Sequence, residues 1–151
     1  MSTQALEAVT RSVTVDCTVE HAFATFTERI HEWWPLDRHS IESGEGATPQ
    51  TVIFQGGEDG RLYERTTKGE ELTWGEVLAW DPPHRLKLSW HPGREPSTPT
   101  EVEVRFTDEG GKTRVDLEHR GWERLGEQGA DVRESYASGW QRVLGAYAES
   151  I

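Results

Sequence analysis

Residues 131–151 read DVRESYASGWQRVLGAYAESI and contain the longest helical pattern in the sequence. Large apolar side chains recur there at intervals of three and four residues, which is the spacing of one face of an amphipathic helix. Asp131 and Glu134 lie three positions apart, like a capping box with Asp in place of Ser or Thr, so we expect the helix to begin there. The stripe that must face a partner layer consists of Tyr136, Trp140, Val143, Leu144, Tyr147 and Ile151.

The sequence before this helix predicts six strands joined by turns. Around Leu86 and Leu88, apolar and polar residues alternate with the period of a half-buried strand. Gly75 interrupts another of these strands and indicates a β-bulge. Because short turns connect consecutive strands, neighbours in the sheet must be antiparallel. The predicted strands cover 51–55, 61–67, 72–80, 85–90, 101–106 and 114–120.

A further strand and two short helices precede these six strands. Residues 11–17 alternate as a half-buried strand does, and Thr18 is placed to cap a helix over 19–27. Three more apolar residues keep helical spacing until Pro35 ends the run. Residues 36–50 are polar and contain glycines, and we interpret them either as a lid over a site or as a disordered connection.

Together these patterns predict an α+β fold in a single domain that spans residues 1–151. A chain of this length suits one domain and can build a core without disulfide bonds. A sheet with one apolar face needs cover on that face only, and the C-terminal stripe supplies it. We therefore predict a curved antiparallel sheet of about seven strands around a long C-terminal helix, with two short helices after the first strand.

Composition excludes several classes of partner. The formal net charge of −11 opposes binding to nucleic acid or to an anionic membrane surface. A single cysteine rules out an internal disulfide, and the N-terminus lacks the pattern of a signal peptide, so we expect a cytoplasmic protein. We also expect no membrane span, because no stretch approaches about 18 consecutive apolar residues. A homodimer remains open.

Several motifs together are similar to one known superfamily over roughly residues 9–151. The most specific block is WGEVLAWDPP at 74–83, followed by Ser89-Trp90. Gly56-Gly57, Tyr63-Glu64, the run LEHRGW at 117–122 and Gly139-Trp140 accompany it. This arrangement resembles the helix-grip fold of the START and Bet v-type superfamily, also called SRPBCC. Within it, the sequence resembles the bacterial proteins that are similar to the activator of heat-shock protein 90 ATPase.

The resemblance implies a cavity between the curved sheet and the C-terminal helix. Members of the superfamily variously bind lipids, hormones, polyketides or flavonoids there, and some catalyse cyclisation or hydrolysis. The name of the bacterial branch also implies a chaperone-related protein interaction. Since a fold does not determine a function, the residues themselves must carry the argument.

The usual motifs of catalysis and metal binding are missing from the sequence. His31-Glu32 begins like the zinc motif H-E-x-x-H, but Pro35 occupies the position of the second histidine. Cys17 is the sole cysteine and lies on the inward face of the first strand, which is typical of a core thiol. The sequence has no G-x-S-x-G elbow, phosphate loop or dinucleotide fingerprint. We therefore predict no catalytic residue, no metal site and no cofactor.

Two polar residues lie on apolar strand faces. His119 shares a face with Val115 and Leu117, and Glu64 shares one with Leu62. A buried imidazole or carboxylate needs hydrogen-bond partners. Three interpretations stay open: a satisfied internal polar pair, a hydrogen bond that orients a ligand, or general acid–base catalysis.

The sequence holds seven tryptophans, which either fill the core or line a pocket. We predict that the protein binds a hydrophobic or aromatic small molecule between sheet and helix. The first alternative is a cyclase or hydrolase in the same cavity, with His119 and Glu64 as proton-transfer groups, and the second is a chaperone-related interaction module. The predicted ligand-binding residues are Phe26, Trp33, Glu64, Trp74, Leu88, Trp90, Phe106, Leu117, His119, Tyr136, Trp140 and Leu144.

Overall fold

The structure is a computed structural model that describes residues 6–95, 97 and 99–151. It contains the seven strands, the two short helices and the long C-terminal helix that the sequence predicts. In chain order the elements are β1 (Val9–Val15), α1 (Val19–Thr27), α2 (Ile30–Trp33), a 3₁₀ helix (Glu42–Glu45), β2 (Thr51–Phe54), β3 (Arg61–Arg65), β4 (Glu71–Asp81), β5 (Arg85–Trp90), β6 (Thr100–Asp108), β7 (Thr113–Arg120), a second 3₁₀ helix (Trp122–Gln128) and α3 (Gly129–Glu149).

The strands form one curled antiparallel sheet in the order β1-β7-β6-β5-β4-β3-β2. The first strand closes onto the last, where Val9 pairs with His119 and Val13 pairs with Val115. This register keeps apolar side chains on one face, because residues two apart along a strand point the same way. The α+β helix-grip architecture predicted from the sequence is confirmed.

A bulge interrupts the pairing of β3 with β4 at the glycine where the sequence predicts one. Leu62 pairs with Gly75 and the next residue, Tyr63, pairs with Thr73, so Trp74 is the extra residue of the longer strand. A Cβ at position 75 would lie 1.8 Å from the carbonyl oxygen of Ser89 in β5. Glycine is therefore needed here because the neighbouring backbone comes too close for a side chain.

Helix α3 packs its apolar stripe against the rest of the fold. Trp140, Val143, Leu144 and Tyr147 are buried, and the Tyr147 hydroxyl donates a hydrogen bond to the carbonyl of Ala22 in α1 at 2.8 Å. The predicted start of this helix is wrong. The helix begins at Gly129 after a kink at Gly126, and Asp131 belongs to its first turn, where the helix dipole favours an acid.

The N-terminal helices follow the sequence prediction closely. The Thr18 hydroxyl accepts a hydrogen bond from the backbone N–H of His21 and so caps α1. α2 ends at Trp33, shortly before Pro35. The segment after it is not a plain loop, because it contains the 3₁₀ helix Glu42–Glu45. Short polar turns of this kind are hard to recognise from sequence, since they carry no apolar period.

Cys17 lies half-buried beside the core, just past the end of β1. Burial and the charge of Asp16 raise the pKa of its thiol, which makes it a weak nucleophile at neutral pH. Among the described residues, none of the helices is long and apolar enough to cross a membrane.

Candidate functional site

An open pocket of about 400 Å³ lies between α3, the concave face of the sheet and the segment that follows α2. Strands β4 and β5 contribute one tryptophan each to its floor. The middle of α3 supplies the opposite side, and the chain after β5 closes one end. The lining residues are Trp34, Arg38, His39, Ser40, Ile41, Trp74, Trp90, Pro92, Gly93, Ser135, Tyr136, Gly139, Trp140 and Val143.

Four indole rings form the floor of this pocket and contact one another. The ring centroids of Trp34 and Trp74 are 5.1 Å apart, and those of Trp90 and Trp140 are 5.3 Å apart. Trp34 also meets Trp140 edge to face at 5.9 Å. These tilted and edge-to-face arrangements are the favourable geometries of aromatic pairs. The floor is consequently a continuous aromatic surface assembled from four separate parts of the chain.

Two of the four indole N–H groups bond to atoms of the pocket wall itself. The N–H of Trp34 donates to the carbonyl oxygen of His39 at 2.6 Å, which folds the segment after α2 back onto the ring. The N–H of Trp90 donates to the Tyr136 hydroxyl at 3.0 Å, which joins the sheet to α3. Burial raises the pKa of Tyr136, so its hydroxyl stays protonated at neutral pH.

The other two indole N–H groups bond to polar side chains inside the core. Trp74 donates to the Glu64 carboxylate at 2.7 Å, and Trp140 donates to Nδ1 of His119 at 2.9 Å. All four N–H groups on the floor are therefore engaged within the protein. What the floor presents to a guest molecule is aromatic carbon, which favours stacking and dispersion contacts over hydrogen bonds.

The rim of the pocket carries the polar groups. Arg38, His39 and Ser135 lie there, and the Arg142 guanidinium donates a long hydrogen bond of 3.4 Å to Nε2 of His39. Burial and the charges of Arg142 and Arg38 lower the pKa of His39. The imidazole is therefore neutral at pH 7, and the two arginines supply the positive charge of the rim.

His119 is fully buried and both of its ring nitrogens are occupied. Nδ1 accepts the Trp140 hydrogen bond, so Nε2 carries the proton and donates to the Thr100 hydroxyl at 2.7 Å. That hydroxyl in turn donates to the carbonyl of Trp90 at 3.1 Å. Burial, and then the charge of Arg94, lowers the pKa of His119 well below its ordinary value. This arrangement is that of a satisfied internal polar group.

Glu64 is also fully buried and accepts three hydrogen bonds. Besides the Trp74 indole, the backbone N–H groups of Ile41 and Glu42 donate to it at 2.6 Å and 3.1 Å. The carboxylate lies under the pocket wall and is not one of the residues that line it. Its partners are all protein groups, so it too has the geometry of an internal structural acid.

The structure brings four of the twelve predicted site residues to the pocket, namely Trp74, Trp90, Tyr136 and Trp140. The remaining predicted residues are buried in the core away from the lining: Phe26, Trp33, Glu64, Leu88, Phe106, Leu117, His119 and Leu144. They point inward as the strand alternation and the helical spacing predict, but neighbouring side chains fill the space around them.

Most of the wall that the segment after α2 provides is absent from the predicted site. Trp34 lies next to the predicted Trp33, and spacing alone did not decide which ring faces the void. The lid interpretation of residues 36–50 was the one signal for the wall residues Arg38 to Ile41. Gly139 has no apolar side chain to mark it, although it directly precedes Trp140 of the α3 stripe.

Comparisons with known proteins support the fold and the family. Residues 16–149 match the family model described as activator of Hsp90 ATPase homolog 1-like protein. The solution structure of CalC from Micromonospora echinospora, a self-sacrificing resistance protein, is 32% identical, with a TM-score of 0.72 and coverage of 95% of this chain and 93% of that one. No curated protein matches the sequence.

Two further solved structures are similar. The anthrahydroquino-gamma-pyrone synthase Txn09 is 29% identical, with a TM-score of 0.64 and coverage of 97% of this chain and 98% of that one. CalU16 from Micromonospora echinospora is 20% identical, with a TM-score of 0.61 over 93% of this chain and 71% of that one, and shows the fold alone. On the extent of the family match, this chain belongs to the activator of Hsp90 ATPase homolog 1-like family, within the SRPBCC helix-grip proteins.

Proposed function

We propose that this protein binds a planar aromatic small molecule in the pocket between α3, the wall segment after α2 and the sheet. The observation that carries the proposal is the floor of four indole rings whose N–H groups are all bonded within the protein. Such a surface favours binding of a flat apolar ligand, because stacking and burial of apolar area need no hydrogen-bond partner from the ligand.

The size and polarity of the pocket agree with this class of ligand. A volume of about 400 Å³ is within the range of about 300–1,000 Å³ that small-molecule pockets occupy. Polar groups concentrate at the rim, where Arg38 and Ser135 can meet oxygen substituents of a ligand whose rings lie on the floor. We therefore expect an aromatic ring system with oxygen atoms on one edge.

The similar proteins point in the same direction. Txn09 is named an anthrahydroquino-gamma-pyrone synthase, and CalC is named a self-sacrificing resistance protein. The first of these names describes aromatic ring chemistry and is compatible with a pocket for aromatic molecules. The chaperone-related interaction and the homodimer stay predictions.

Binding is favoured over the predicted cyclase or hydrolase alternative. That alternative needs His119 and Glu64 to exchange protons with a substrate. Both side chains are fully buried and their polar atoms are engaged with protein partners, so neither faces the pocket. General acid–base catalysis requires hydrogen-bond reach to the reacting atom, which these two positions lack.

Titration with emodin, a hydroxylated anthraquinone, tests the proposal. Because the floor indoles would stack on the ligand, we expect quenching of tryptophan fluorescence with a Kd in the micromolar range, or about −8 kcal/mol, which calorimetry can check. Failure of emodin and of anilinonaphthalene sulfonate to bind at concentrations up to their solubility limits would contradict the proposal.

A pair of glycine variants in α3 locates the binding site. A Cβ at Gly139 would lie 3.5 Å from the His39 ring, so Gly139→Leu places its branched end in the pocket. A Cβ at Gly145 meets no atom within 4 Å, and Gly145→Leu is the matched control in the same helix. We expect Gly139→Leu to weaken emodin binding at least about tenfold and the control to leave it unchanged. Equal affinities in both variants would place the ligand elsewhere.

A further inference from the structure

We propose that Glu64 is a positioning residue that holds the outer wall of the pocket in place, so that ligand affinity depends on a carboxylate the ligand does not touch. The wall segment is defined here as residues 36–46, the stretch that follows α2 and includes the 3₁₀ helix Glu42–Glu45. The affinity part of this inference rests on the proposed function. The structural part, that Glu64 immobilises the wall segment, stands independently of any ligand.

The carboxylate of Glu64 joins the wall segment to the floor of the pocket. Its Oε1 accepts from the backbone N–H of Ile41 at 2.6 Å and from the indole N–H of Trp74 at 2.7 Å. Its Oε2 accepts from the backbone N–H of Glu42 at 3.1 Å. Ile41 and Trp74 both line the pocket, whereas Glu64 itself is fully buried on β3 beneath them. One side chain thus sets the distance between the wall segment and the floor.

The chemistry of these contacts suits a carboxylate specifically. The N–H groups of Ile41 and Glu42 lie at the start of the 3₁₀ helix, where backbone donors lack partners within the helix. An ionised carboxylate offers acceptor sites on both oxygens and can satisfy these donors and the indole together. A buried charge left without such donors would be costly, so the three bonds and the position of the wall segment depend on one another.

A second buried acid fixes the other side of the same segment. The carboxylate of Glu42, which is 7% exposed, accepts from the backbone N–H of Thr67 at 2.7 Å and from its hydroxyl at 2.8 Å. Glu64 therefore ties β3 to the wall segment, and Glu42 ties the wall segment to the turn after β3. One carboxylate accepts hydrogen bonds from the wall segment and the other belongs to it. Together they hold a segment in which Leu36 and Ile41 pack against the core.

Glu64→Gln is the sharpest variant, because it keeps the size of the side chain and removes one acceptor oxygen. The new amide NH₂ must face at least one N–H donor, so at least one of the three bonds is lost. We expect amide hydrogen exchange at Ile41, at Glu42 or at both to accelerate at least about tenfold, which is the effect of losing one charge-assisted hydrogen bond. We also expect the Kd for emodin to rise by a similar factor.

Glu103→Gln is the matched control. Glu103 is likewise a buried, multiply hydrogen-bonded acid of the same sheet, but its partners are arginines and it does not line the pocket. This variant should leave exchange at Ile41 and Glu42 and the emodin Kd within about twofold of the wild-type values, even if it lowers overall stability. Hydrogen exchange of the β6 and β7 amides reports that global effect separately.

Thr67→Val supplies a second test that spares the core. It removes the hydroxyl that donates to Glu42 and leaves the backbone bond, so we expect a smaller acceleration of exchange in the wall segment. Unchanged exchange at Ile41 and Glu42 in Glu64→Gln overturns the positioning role, whatever emodin does. Accelerated exchange with an unchanged emodin Kd overturns the link to affinity. If the wild-type protein does not bind emodin, the proposed function fails while the exchange data still decide the structural part.

Discussion

The indole N–H of Trp140 in α3 donates a hydrogen bond of 2.9 Å to Nδ1 of His119 in β7, at the centre of the core. Because Nδ1 accepts, the imidazole is neutral and its proton resides on Nε2, which donates to Thr100. This contact joins the long helix to the sheet behind the aromatic floor. It also makes the stability of the fold sensitive to protonation of one buried side chain.

Acidification should destabilise the protein through His119. The folded-state pKa lies well below the ordinary value of 6.5, so between the two values the unfolded chain binds a proton that the native chain does not. The contribution of His119 is complete above about pH 6.5 and is lost as the pH falls below that value. Urea unfolding between about pH 7 and pH 5 should show stability falling by up to about 1.4 kcal/mol per pH unit.

His119→Gln should flatten that dependence, although it lowers stability at neutral pH. His39→Gln is the control, because His39 is only half-buried and its pKa is lowered less than that of His119. We expect the slope between about pH 6.5 and pH 5 to drop more in His119→Gln than in His39→Gln. A slope that survives in His119→Gln would assign the acid sensitivity to another group.

Two buried tryptophans should respond very differently to replacement by phenylalanine. Within the described part of the chain, the indole N–H of Trp122 has no hydrogen-bond partner, although the side chain is fully buried. Trp122→Phe removes that unpaired donor, and this gain offsets the loss of packed volume. The free energy of unfolding should therefore stay within about 1 kcal/mol of the wild-type value. Trp140→Phe leaves Nδ1 of His119 unpaired and should cost about 2–4 kcal/mol in chemical unfolding. Equal losses would show that volume alone matters at both sites.

Two glycine-to-alanine substitutions should change the free energy of unfolding in opposite directions. A Cβ at Gly75 would lie 1.8 Å from the Ser89 backbone oxygen, so Gly75→Ala forces β4 and β5 apart and should cost at least about 2 kcal/mol. A Cβ at Gly145 in α3 meets open space, and Gly145→Ala should stabilise by up to about 1 kcal/mol through helix propensity. Thermal unfolding of the two variants checks both signs. A neutral Gly75→Ala would mean that the sheet yields easily at the bulge.

The outer face of the sheet carries a second acid-sensitive group. Burial raises the pKa of Glu103, but hydrogen bonds from Arg85 and Arg120 and the charge of Arg105 outweigh it, so the pKa of the carboxyl falls below its ordinary value of 4.5. Its contribution is present above about pH 4.5 and is lost as the pH falls through the folded-state pKa. Glu103→Gln should lower the free energy of unfolding by about 1–3 kcal/mol at neutral pH. It should also reduce the dependence of that free energy on pH below about pH 4.5. Denaturant titrations at several pH values check this, and an unchanged dependence on pH would contradict it.

The fold was predictable because its signals are local. Alternation in β5, β6 and β7 and the three- and four-residue spacing in α3 are consequences of backbone geometry, and each can be read within one element. The bulge at Gly75 was also predictable, since glycine inside a strand has few other uses. The start of α3 was not, because a 3₁₀ helix runs into it and the pair Asp131 and Glu134 only imitated a cap.

The site was predictable in part, for a related reason. Trp74, Trp90, Tyr136 and Trp140 have inward positions within their own elements, and all four reach the pocket. Phe106 and Leu117 have inward positions too, yet other side chains cover them. Periodicity tells which face of an element is buried and contains no information on whether the space beyond that face is filled.

The amino-acid sequence by itself determined the seven strands, the three α-helices, their order and the face that each one buries, because those properties follow from the backbone periods of two and 3.6 residues. The tertiary structure alone decided that Trp34 closes the aromatic floor, that His119 and Glu64 bond to protein groups, and that residues 36–46 form a wall. These are contacts between positions distant in sequence, and they depend on how elements pack together, which no single element encodes.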